Sequence, residues 1–244
     1  MKSWIAFWNI LLKDMRNYYL KPPNISWGFV FPVAWTLMFF LKAQTEVNVR
    51  ELLPGVMSLS ILFGTTSVLA VTLTFERRSR SFERLLLAPL DLNLLMLAKT
   101  SGAMLFGVAN AFVPVLFAAF ITDLSGLRWL PIAAAVFLIA ITSTLLGLFI
   151  AVSVKEVFEA QTFSNFFRFP MIFLCGLFIP VQGLPLYLRP LSYVLPLTYG
   201  ADILKSSISQ NGHLGLGVNF PILLGFAVLL FVLSIRNVKR KWIV

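Results

Sequence analysis

The chain has 244 residues, of which 59% are hydrophobic and only 12% charged, with a formal net charge of +10. Soluble domains carry about a quarter charged residues, so this composition, with its mean hydropathy of +0.87, excludes one and indicates a bilayer protein. A spanning helix needs about 20 apolar residues, which leaves room for roughly six spans and for no separate soluble domain. The chain is therefore read as one membrane domain, 1–244.

At 100° per residue, Trp4, Ile5, Phe7, Trp8, Leu11, Leu12, Met15, Tyr18 and Tyr19 share one face of a leading helix, and Lys2, Asn9, Lys13, Arg16 and Asn17 occupy the other. Such a helix suits the headgroup plane, so 1–22 is predicted to be an amphipathic interfacial helix that Pro22 and Pro23 break. Lys13, Asp14 and Arg16 interrupt any signal-peptide core, so insertion is expected to use an internal span.

Apolar runs of spanning length follow at 25–41, 52–75, 100–121, 129–154, 163–181 and 218–235. Six spans put both termini on one side. The alternating connections divide Lys and Arg fifteen to five, and positive residues accumulate in cytoplasmic loops, so both termini are predicted to be cytoplasmic. The segment 76–90 between the second and third runs is then cytoplasmic. On a continuous helix Glu76, Arg80 and Glu83 form one charge column, Phe75, Phe82 and Leu86 form a separate apolar ridge, and Pro89 ends the helix. Arginines alone would serve as a topology anchor; the column and the ridge point further, to a docking surface.

Arg168 is the one charge inside a run, close enough to its start to snorkel to the headgroups. Asn110 and Thr142, Ser143 and Thr144 are polar within spans and suit bonds between helices, with contact to a substrate as the alternative. Phe163, Phe166, Phe167, Phe169 and Phe173 make the fifth run aromatic, which lipid contact alone would also explain. Pro185, Pro190 and Pro196 cut the stretch 182–217 into pieces too short to cross, so it is expected to re-enter at the outer side, packed on other spans or lining a cavity. Tyr187, Tyr193 and Tyr199 fit an interfacial aromatic belt. One cysteine, Cys175, and one histidine, His213, exclude a disulfide framework and a metal-ligand cluster.

The charged segment resembles the one after the second span in permeases of the type-2 ABC exporters. Glu76, Ser81, Phe82, Glu83, Leu85, Leu86, Pro89 and Lys99 fall on that pattern, while Arg80 stands where the family has Gly. A second match lies in "FRFPMIFLCGLFIPVQGLPLYLRPLSYVLPLTYGADILK", through Phe169, Pro170, Gly176, Pro180, Leu184, Pro185, Pro196, Tyr199 and Asp202. The resemblance implies an all-α, inner-membrane permease that dimerises, a homodimer being the expectation, and that is driven by two separate ATP-binding subunits. It implies that 76–90 is a coupling helix seated on the ATPase through Glu76, Arg80, Phe82, Glu83, Leu86 and Pro89. It also implies that the second and fifth spans line the substrate path, with Phe63, Thr66, Phe163, Phe166, Phe167 and Phe173 as candidates. Export as the direction comes from the resemblance alone, and amphipathic substrates (drugs, lipids or lipid-linked glycans) suit the aromatic spans.

The pattern GxxxxGK[ST] that holds nucleotide phosphates is missing: Gly102 and Gly107 have the spacing but Val108 and Ala109 follow. No cofactor is expected in this chain, ATP and Mg belonging to the partner. The rival accounts are an ion-coupled carrier and a non-transporting assembly protein. The carrier predicts acids or histidines within spans, and the six runs contain none. The basic residues cluster at membrane boundaries, which suits anionic lipid headgroups and not nucleic acid.

Overall fold

The computed structural model describes residues 2–22, 24, 30, 34, 37–38, 48–87, 90–177 and 179–242, and among these it is helical with no strand. The expected first span, 25–41, falls largely outside the described residues, as do Pro23 and Pro89. Helix α1, Lys2–Asp14, widens into a π turn at Met15–Tyr19 and stops at Leu20.

Helix α2 runs from Val49 to Arg78 and is interrupted by a second wide turn, Phe63–Ser67. Asn48 caps its start by accepting from the Arg50 N–H at 3.2 Å. It stops where side chains compete for its last carbonyls: the Ser79 and Ser81 hydroxyls both donate to Glu76 O at 3.1 Å. The chain reverses at Arg80, whose φ of 56° is left-handed, and resumes as the short helix α3, Ser81–Leu86. Hence no single helix covers 76–90, and the expected column of Glu76, Arg80 and Glu83 does not form.

Helix α4, Leu92–Ile121, starts at an Asp91 cap eight residues before the apolar run does, which puts Lys99 inside a helix and not in a loop. Helix α5, Trp129–Ser153, carries no charge and is the hub, packing against α2, α4, α8 and α9. Close approach is possible because Gly147 has no side chain: a Cβ there would lie 2.6 Å from Thr66 O of α2. Beside it the Thr66 hydroxyl donates to Ser143 O at 3.1 Å, joining the two helices.

Helix α6, Val157–Leu174, opens on a reciprocal Glu156–Glu159 capping box and ends seven residues before the predicted limit of the fifth run, because Gly176 turns the chain at a φ of 75°. The stretch that follows folds into a 3-10 turn, Val181–Gly183, helix α7, Arg189–Val194, and helix α8, Pro196–Ile208. Helix α8 is almost wholly buried against α5, α9 and α2. Tyr199 goes inside with it, 7% exposed, its hydroxyl donating to Tyr193 O, so it is no part of an aromatic belt. Helix α9, Leu216–Lys241, closes the bundle.

Among the described residues four helices are long and apolar enough to cross a bilayer: α2, α4, α5 and α9. Helix α6, with 18 residues or about 27 Å, is not one of them. The outer faces of α4 and α9 present Leu116, Phe120, Leu224 and Val228, as surfaces turned towards lipid do.

Candidate functional site

The end of the bundle that carries α3 holds a buried ionic cluster. Asp14 lies on the packed side of α1, one turn after Ile10 and one before Tyr18, and faces Lys99 on α4 at 2.9 Å. Lys99 also donates to Glu76, on the last turn of α2. The second Glu76 oxygen accepts from Lys13 of α1 at 2.9 Å. Two acids and two lysines thus balance, with Asp14, Glu76 and Lys99 lining a pocket completed by Tyr18, Tyr19, Thr72 and Leu73. The Asp14, Glu76 and Lys99 side chains are 4%, 1% and 3% exposed, and only Lys13, at 37%, reaches the surface.

Burial pushes the Asp14 carboxyl above its ordinary range, with Lys99 pulling the other way. For Lys13 burial works against the charge, but the hydrogen bond and attraction from Glu76 hold the ammonium above 10.5. Burial, then the Glu76 charge, pushes the Tyr18 phenol up to about 12. Buried charges are tolerated only when all are matched, so the cluster fixes α1, α2 and α4 as one unit. Lys99 counts in the sequence as a loop charge and a motif position, and Asp14 belongs to neither face of the leading helix. The available signal is that Asp14 falls in the apolar column, where an acid needs a partner.

Helix α3 hangs from this unit. Phe82 is buried, 1% exposed, and its ring meets Trp242 edge to face at 4.9 Å. It is therefore an internal anchor and not part of an outward ridge. Arg77 lies over the same indole at 5.0 Å and donates to Val154 O at 3.4 Å, while Arg78 pairs with Glu156 before α6. What remains outward around α3 is Arg80, Glu83, Arg84 and Leu87, with Leu85 and Leu86 half-buried. Of the coupling candidates, Arg80 and Glu83 are exposed, Leu86 is half-covered, Glu76 and Phe82 are interior, and Pro89 lies outside the described residues.

The pathway candidates separate in the same way. Phe163, Phe166 and Phe173 project from α6, with Phe166 69% exposed and set edge to face on half-buried Phe167. Phe63 is half-buried beneath Arg168, whose guanidinium stands 4.3 Å from the ring centroid and donates to Ser164 O and Asn165 Oδ1. Arg168 is 3% exposed, so it does not snorkel. Thr66 faces the interior on Ser143. Thr142 donates back to Leu138 O, whereas the buried Asn110 Nδ2, Ser67 Oγ and Thr144 Oγ1 find no acceptor among the described residues.

At the opposite end Asp202 accepts from the backbone N–H groups of His213 and Leu214, both at 2.8 Å, and from Asn219 Nδ2 at 2.7 Å. This carboxylate staples the loop before α9 onto α8. Composition cannot show that role; Asp202 stands out only as a motif position.

Residues 5–208 match the family described as ABC-2 type transporter. The chain is 20% identical over 245 residues to the inner membrane transport permease YadH of Escherichia coli K12, which covers 97% of this chain and 96% of the relative. The protein of that name from Shigella flexneri is similar to the same extent. A stretch of 79 residues is 30% identical to nodulation protein J of Sinorhizobium fredii, 32% of this chain and 30% of that one.

Proposed function

The chain belongs to the ABC-2 type transporter family, and from that premise we propose that it forms half of the membrane pathway of an ATP-driven exporter, working as a dimer, most simply a homodimer, with two ATP-binding subunits. It is a membrane transporter subunit, and its family implies ATP-binding partners. Catalysis and the Mg-bound nucleotide reside in the partner. The chain crosses the inner membrane six times, α6 and the run 25–41 completing the count, with both termini in the cytoplasm, α1 in the headgroup plane and 182–217 re-entering from outside. The similarity to an inner membrane permease over nearly the full length supports that location.

One observation carries the mechanism: a short helix with an outward surface of Arg80, Glu83, Arg84 and Leu87 follows directly on the end of α2, which an interior ionic cluster ties to α1 and α4. A surface of mixed charge with an apolar tip suits a groove on a soluble protein, and a rigid mount transmits displacement instead of absorbing it. Closure of the ATPases on nucleotide pushes α3, and the motion passes through Glu76 into α2, α4 and α1. The aromatic face of α6, with Phe163, Phe166 and Phe173, meets the second permease and lines the path, which favours amphipathic cargo such as a drug, a lipid or a lipid-linked glycan.

The ion-coupled alternative gains one point, since Glu76 lies in a long apolar helix at its end, but both acids are matched by lysines and leave no unpaired carboxylate for an ion to claim. The test is affinity purification of the tagged chain from its native membrane. An ATP-binding subunit is expected to co-purify, and Glu83→Arg is expected to abolish the association while the permease still folds. A permease recovered alone, or a complex indifferent to Glu83→Arg, overturns the reading.

A further inference from the structure

Trp242 follows the last turn of α9 and has no part in the motifs that mark the coupling segment. Three observations meet on it. Phe82, the buried anchor of α3, presents its ring to the indole at 4.9 Å and 75°. Arg77, at the foot of α2, stands over the same indole at 5.0 Å, within cation–π range. The indole N–H is buried and has no acceptor among the described residues. A buried indole N–H normally finds an acceptor; among the described residues this half-buried ring is held by its faces and edges.

The two contacts have different consequences. The ionic cluster grips α2, α4 and α1 above α3, but nothing in it touches α3 itself. Helix α3 has only six residues and follows a left-handed residue, so it has little stability of its own and takes its orientation from what Phe82 packs on. Phe82 belongs to an interior apolar cluster that includes Leu73, Leu95 and Val238, and the end of α9, a helix that otherwise runs along α5 and α8, meets its ring through Trp242.

We propose that Trp242 is a positioning residue that clamps α3 between α2 and α9, so that a push on α3 reaches the last helix as well as the second. The clamp stands on the two ring contacts alone; its mechanical role rests on the coupling reading above. Both contacts are made by the aromatic ring, so Trp242→Phe keeps the clamp and Trp242→Ala opens it.

Two measurements test this. In the first, the full-length chain in lipid nanodiscs is treated with trypsin, and cleavage after Arg80 and Arg84, both exposed, is timed by mass spectrometry. Trp242→Ala is expected to raise the rate roughly tenfold, the size of a lost aromatic pair, with Trp242→Phe within about twofold of wild type. Phe82→Leu is expected to fall between them. Unchanged nicking in Trp242→Ala, or nicking in Trp242→Phe as fast as in the alanine variant, overturns the clamp. Should the alanine variant fail to fold, the Phe and Leu variants still decide.

In the second, in the complex with the ATP-binding subunit, vanadate trapping is expected to change thiol labelling of a cysteine placed at Phe173. That change is expected to disappear in Trp242→Ala and to return in Trp242→Phe, with ATP hydrolysis retained in both. Retention of the change in the alanine variant overturns the transmission role. Absence of any co-purifying ATPase overturns the proposed function, and with it that role, while the nicking series decides the clamp by itself.

Discussion

Lys99 and Asp14 stand 85 positions apart in sequence and 2.9 Å apart in the interior, each almost fully withdrawn from the surface. Their pairing, extended by Glu76 and Lys13, makes the leading helix part of the bundle and sets the footing from which α3 projects.

Removing the shared cation leaves two interior carboxylates with one half-exposed lysine between them. Lys99→Met is expected to destabilise the protein by about 3–5 kcal/mol, read as a fall in the unfolding temperature in nanodiscs. Adding Asp14→Leu removes the orphaned charge and leaves the Lys13–Glu76 pair, so the double variant is expected to recover most of the loss, and a double-mutant cycle measures how much. Additive losses would mean that the pair does not act as a unit.

The cluster also sets an alkaline limit. The folded state holds Lys13 above its ordinary value of 10.5 and Tyr18 up to about 12, so both hold their protons more tightly folded than unfolded. Their contribution is fully present below the unfolded values and is lost as pH rises through the folded ones. Melting followed from pH 8 upward is expected to be flat until about pH 10 and then to fall. Lys13→Met is expected to lower the plateau and to soften the fall.

The contact of α2 with α5 allows no extra atom at Gly147. The Cβ of Gly147→Ala would sit 2.6 Å from the Thr66 carbonyl, which is backbone and cannot swing away, so a loss of about 1–3 kcal/mol is expected. Gly225 on the outer side of α9 has nothing within 4 Å, and Gly225→Ala is expected to be neutral or slightly stabilising in the same melting assay.

Asp202→Asn keeps the size but exchanges one acceptor oxygen for a donor. It leaves one of the three groups now bonded by Asp202 without a partner, at a cost of about 1–3 kcal/mol. The expected signature is local: faster amide exchange at His213 and Leu214, with α5 unaffected.

The apolar runs showed where the long helices lie, because hydropathy over about 20 residues needs no knowledge of neighbours. The charged stretch between the second and third runs is legible as a special segment, and the proline-rich stretch 182–217 as something packed on other helices, as α8 is. The partners were not legible. A projection of 76–90 assumes an unbroken helix, and two serines and a left-handed arginine break it. From sequence alone Phe82 reads as facing out, because its ring partner, Trp242, lies 160 residues away in sequence. Sequence places Arg168 at the headgroups because it shows the distance from a span end and not the ring of Phe63 above which Arg168 rests.

The wide turn at Phe63–Ser67 has an effect far from where it occurs. Winding one surplus amino acid into a helix advances everything downstream by roughly 100° around the axis. Glu76 is three turns beyond that point, so its azimuth is decided there. Were the surplus wound out, the carboxylate would swing away from the ammonium it neutralises, and the footing beneath α3 would lose its keystone. A modest irregularity midway along an apolar helix thereby aims the charge at its end.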